Sequence, residues 1–112
     1  MMSTAPQLVL TREQANRLQA YLQTYRRYAF ASLIPSVDRN TTLRILQAVQ
    51  GKLIDVIDQK TALLQLVLTT EEMTTMKTVV TELLLLYAKE PASAERNATL
   101  TDLAALKGSL KG

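Results

Sequence analysis

No cysteine and no histidine occur among the 112 residues. Thiolate nucleophiles, disulfides and thiolate or imidazole metal sites are therefore excluded, as is the side chain most often used as a general base. Tryptophan is also missing and phenylalanine occurs once, so a core must be built from Leu, Val, Ile, Met and Ala. Three glycines and three prolines leave little room for long loops or flexible linkers. No apolar run approaches the roughly 18 residues of a membrane span. The opening residues, MMSTAPQLVL, have no charged region followed by a long apolar stretch. No signal peptide is expected on that ground, and the expected compartment is the cytoplasm. Two Asn-x-Thr triplets, at Asn40 and Asn97, match a glycosylation pattern, a coincidence where no secretion signal is present.

What is present has the balance of a globular chain: 47% apolar and 21% charged residues. The length suits one domain over residues 1–112, large enough to bury a core as a whole and marginal if halved. The net charge of +3 is unevenly placed. Residues 1–65 hold eight Lys/Arg against four Asp/Glu, and residues 66–112 hold five against six. A small positive excess in the first half is ordinary for solvated helix faces and weakly favours an anionic partner.

The dominant feature is a repeat. RNTTLRILQAVQGKL at 39–53 returns as RNATLTDLAALKGSL at 96–110, and LVLTREQ at 8–14 returns as LVLTTEE at 66–72. The first pair is offset by 57 residues (96 − 39) and the second by 58 (66 − 8). Two ordered blocks in one short chain point to an internal duplication, with repeat one over 8–60 and repeat two over 66–112.

Each repeat opens with a capping-box spacing, Thr11 to Gln14 and Thr69 to Glu72. Leu10 and Leu68 precede the caps and are placed to staple onto Ala15 and Met73. Apolar residues then follow at spacings of three and four: Ala15, Leu18, Leu22, Tyr25, Ala29, and Met73, Met76, Val80, Leu83, Tyr87. Helices are expected over 12–32 and 70–89, halted by Pro35 and Pro91. A second helix in each repeat opens at Ser36 and Ser93, with Asp38 and Glu95 in the first turn where the helix dipole favours acids. These helices are expected over 37–60 or further, because no breaker precedes Thr69, and over 94–110.

The expected fold is all-α: a four-helix bundle-like domain of two tandem helical hairpins with approximate two-fold symmetry. A second arrangement separates the hairpins and swaps them between the chains of a dimer. Within this frame Asn40 and Asn97 are read as structural, bonding the preceding turn and fixing the hairpin angle. Arg39 and Arg96 would pair with Asp38 and Glu95 or with carbonyls ending the previous helix. Gly51 and Gly108 recur as well. A glycine inside a helix costs roughly 1 kcal/mol relative to alanine, so Gly51 is expected to permit close approach of another backbone. Gly108 is read as a helix end. Met73 and Met76 are expected in the core.

Nothing in the chain assembles catalytic chemistry, and no enzyme activity, cofactor or metal is expected. Glu71–Glu72 lies in a first helical turn, and Asp55 with Asp58 lacks supporting ligands. Two surfaces remain as candidates. The segment YLQTYRRYAF, 21–30, supplies Tyr21, Tyr25, Arg26, Arg27 and Tyr28, residue types favoured as interface anchors. The run Leu83–Leu86 covers more than one helix face. It points to a self-association surface of Val79, Leu84 and Leu85, and hence to a homodimer. The expectation is a non-enzymatic helical protein-interaction or assembly module with no membrane role. The alternative is a small nucleic-acid-associated protein using Arg12, Arg17, Arg26 and Arg27, weakened by the modest basic excess.

Overall fold

The run LVLT occurs twice, and both times its neighbourhood alternates leucine with another residue. Alternation at period two sends every second side chain to one face of an extended strand. In the computed structural model, which describes residues 7–32 and 36–110, these segments are strands: β1 (Gln7–Thr11) and β2 (Leu63–Val67). They pair antiparallel, with Leu8 opposite Leu66 and Leu10 opposite Leu64. Those four leucines are buried, while Val9, Leu63 and Val67 face outward.

The chain is mostly helical, as expected, and a small two-stranded sheet is added to the helices. Four helices hold most of the remaining described residues: α1 (Arg12–Ser32), α2 (Val37–Ile57), α3 (Thr70–Ala88) and α4 (Ala94–Ser109). The chain order is strand, helix, helix, then strand, helix, helix. None of these helices is long and apolar enough to cross a membrane.

The helix starts follow the capping chemistry. The Thr69 hydroxyl accepts from the Glu72 amide at 3.0 Å, and Glu72 accepts from the Thr69 amide at 2.8 Å. Thr11 and Gln14 exchange the same pair of bonds, at 3.1 and 2.9 Å. Ser36 and Ser93 are extended N-caps whose hydroxyls accept from the Arg39 and Arg96 amides, each at 3.0 Å. Such a cap contributes about 1 kcal/mol. Pro35, expected to halt α1, lies outside the described residues.

Helix α2 ends at Ile57, short of the expected 60 or beyond. The guanidinium of Arg12 donates to the carbonyls of Ile57, Gln59 and Thr61. A cation on the last carbonyls satisfies the acceptors that further helix would have used. The segment that follows enters β2, where Leu64 and Leu66 gain burial that a solvated helix would deny them.

Helix α1 packs on α2 and α3 on α4, and α2 packs on α3 to join the pairs. One core runs between the leucine face of the sheet and the helices. Leu18, Leu22, Leu46, Leu53, Met76 and Leu83 are almost wholly removed from water. Full burial of each such side chain is worth about 2 kcal/mol. Leu10 and Leu68, the expected staples, sit in the same cluster as Ala15 and Met73.

Candidate functional site

The tyrosine–arginine segment lies on α1, and the packing of that helix decides what each side chain does. Spacings of three and four turn Leu18, Leu22, Tyr25 and Ala29 into the core. Tyr21 and Tyr28 fall at the core boundary and are half-buried. A buried phenol needs an acceptor for its hydroxyl. The Tyr21 hydroxyl donates to Asp102 on α4 and the Tyr25 hydroxyl to Glu82 on α3, both at 2.6 Å. Burial first, then the bonded carboxylate, pushes both hydroxyls well above the ordinary tyrosine range. The Tyr28 ring tilts against Tyr25 with centroids 5.9 Å apart.

The arginines are tied down in the same way. Arg17 grips Asp102 with two nitrogens, at 3.0 and 3.3 Å, and reaches Glu13 at 2.7 Å. Arg26 donates to the Gln50 side chain at 2.8 Å. Arg12 caps α2. Of the arginines with a candidate anionic partner, Arg27 alone is exposed with no bonding partner among the described residues. The five residues Tyr21, Tyr25, Arg26, Arg27 and Tyr28 therefore do not form one outward surface. Tyr25, 3% exposed, is a core residue.

The self-association set divides too. Val79 is fully buried on α3 and lies on no surface of the chain. Its spacing from Met76, Val80 and Leu83 places it on the inward face. Leu84 is half-buried against the core, and Leu85 is 61% exposed.

The repeated polar residues act locally. The Asn40 side-chain oxygen accepts from Arg39, and that of Asn97 from Arg96. Both asparagines bond the preceding arginine instead of the previous turn. Arg96 also donates to the Glu90 carbonyl just beyond α3, at 3.1 Å, whereas Arg39 lies over the Phe30 ring at 5.2 Å. Neither Gly51 nor Gly108 is approached by another segment: a Cβ added at either would meet nothing within 4 Å. The expected close approach at Gly51 does not occur among the described residues. Gly108 lies inside α4, one residue before its end.

Three partners were not anticipated from the sequence. Asp102 and Glu82 are the acceptors that let α1 bury tyrosines. Glu72 is a buried acid paired to Lys52 of α2 at 2.5 Å. Burial alone would raise the Glu72 carboxyl, but the Lys52 bond and charge, with bonds from Thr69, outweigh it and hold the carboxyl low. A signal existed for Glu72, since the capping box aims that side chain back at its own helix start.

A cavity of about 460 Å³ opens between α1, the start of α2 and α3, with Ala29, Asp38, Arg39 and Glu82 among its walls. At the position 58 residues on from Ala29 stands Tyr87, so the second repeat carries a large ring where the first has a methyl group. Among the described residues no group of three or more Asp or Glu side chains is placed to hold a metal ion. Comparisons with known protein families, with curated proteins and with solved structures find no match to this chain.

Proposed function

We propose that this protein is a non-enzymatic interaction and assembly module that self-associates as a homodimer. The observation that carries it is where the apolar side chains stand. The polar groups most suited to recognition are consumed by bonds between helices, whereas large apolar residues remain in water. On one face of the ribbon Val9, Leu63 and Val67 are 50%, 58% and 46% exposed, and neither strand contains a charge. Leu85 and Ile54 add exposed apolar surface on α3 and α2. Apolar surface of this kind marks contacts with other molecules.

We further propose that the module is a duplicated strand–helix–helix unit. The strand register supports it: Leu8 pairs with Leu66, the residues related by the 58-residue offset. An axis through that pair would exchange the halves. The matching caps at Thr11 and Thr69, and at Ser36 and Ser93, support it as well.

Light scattering on the full chain tests the assembly. Hydrophobic self-association should survive a change from about 50 to 200 mM salt, whereas a complex with DNA or RNA held through phosphates should weaken steeply over that range. A dimer at both salts is the expected result. A monomer that binds nucleic acid would favour the alternative, which must work with Arg12, Arg17 and Arg26 already engaged inside the chain.

A further inference from the structure

Gly51 occupies the middle of a 21-residue helix. That placement forgoes roughly 1 kcal/mol of helix stability relative to alanine, and no intramolecular contact offsets it. The residues around it form a stripe. At 100° per residue, Arg44, Gln47, Ala48, Ile54, Asp55 and Asp58 all lie within about 60° of Gly51 around the helix axis. All are exposed, Ile54 to 52%. Asp58, the C-cap, keeps helical backbone angles and so continues the stripe. No described residue pairs with Arg44, Asp55 or Asp58.

We propose that two copies of this chain associate through this stripe, their α2 helices crossing antiparallel at Gly51. The proposal rests on the self-association reading above and names its surface. In an antiparallel crossing about a two-fold axis, a residue n places before Gly51 comes level with the residue n places after it on the partner, and the two meet where both lie near the centre of the face. Arg44 and Asp58 are each seven places away, so each Arg44 meets the partner's Asp58. Ala48 and Asp55 lie on one side of the crossing, so each Ala48 meets the partner's Asp55. Gln47 and Ile54 lie on the other side, so each Gln47 meets the partner's Ile54. At the centre Gly51 faces Gly51 with no side chain between the backbones.

Both charge pairs lie about 10 Å from the crossing point, within reach when the helices cross at the shallow angle of about 20°. The stripe is thus complementary to itself in charge, through the two Arg44–Asp58 pairs. This selects a second copy as the occupant, since an unrelated helix would match only by chance. The ribbon face can add apolar contact, but it carries no charge that would set a register of this kind.

Sedimentation velocity over a concentration series tests the contact, with circular dichroism confirming helicity of each variant. Arg44→Glu and Asp58→Arg should each weaken the dimer by about tenfold or more, through like charges brought together. The Arg44→Glu/Asp58→Arg double variant should return affinity to within about threefold of wild type, because the pair is restored in reverse. Gly51→Leu should keep the helix and abolish the dimer. A wild-type dimer indifferent to all of these substitutions overturns the α2 contact and leaves self-association standing. A wild-type chain monomeric at every concentration overturns both.

Discussion

Helices α1 and α3 each follow a strand and a threonine cap, yet α1 adds directed bonds to the burial that both share. Position 21 is Tyr and its counterpart, 58 residues on, is Val79; position 25 is Tyr and its counterpart is Leu83. Helix α1 buries Leu18 and Leu22 and is fastened in addition by directed bonds, Tyr21 and Arg17 to Asp102 and Tyr25 to Glu82. Helix α3 is fastened by aliphatic burial at Met76, Val79, Val80 and Leu83. Burial is non-directional and strong per side chain. A hydrogen bond adds less on balance but specifies which atoms meet, and it penalises the loss of one partner. Both helices therefore supply bulk stability, and the bonds from α1 also fix how α3 and α4 sit against it.

The largest effect should come from the aliphatic side. Leu83→Ala should lower unfolding stability by about 2–5 kcal/mol through lost transfer energy and a cavity, measured by chemical denaturation. A loss no greater than that of Tyr25→Phe would break the contrast. Asp102→Ala comes next, at about 1–3 kcal/mol, because it strands both a phenol and a guanidinium. Adding Tyr21→Phe to Asp102→Ala should then cost little more, since the hydroxyl no longer has an acceptor to lose; full additivity would show that the bond is idle.

The smallest effect is a pH dependence. The Glu72 carboxyl is held low in the folded chain, so its contribution is complete above the ordinary Glu value of about 4.3 and disappears as pH falls through the lower folded value. Glu72→Gln should be less stable at neutral pH and should lose less on acidification. Parallel acid profiles for the two proteins would remove the Lys52–Glu72 pair from the account.

The helices were readable because their determinants are local. Capping pairs sit three residues apart and apolar stripes recur every three or four, so α1 falls at 12–32 as the sequence predicts and α3 and α4 each end within one residue of it. The strands were legible only in part. Their leucine alternation is visible, but five residues beside a helix cap also resemble a staple, and the pairing joins segments more than fifty residues apart. The acceptors of the tyrosines were illegible for the same reason: Glu82 lies 57 residues from Tyr25 and Asp102 lies 81 from Tyr21. Periodicity says that Tyr25 points inward, not which carboxylate waits there. It likewise marks Val79 as apolar without saying that its side of α3 faces the core, which is why a buried valine is among the surface candidates.

The ribbon links the start of the described chain to the segment between its halves, and this bears on the order of events at the ribosome. Strand β1 has no partner until residue 67 has been synthesised, so Leu8 and Leu10 emerge early and wait. Until then the nascent first half holds a leucine-rich end without its strand partner.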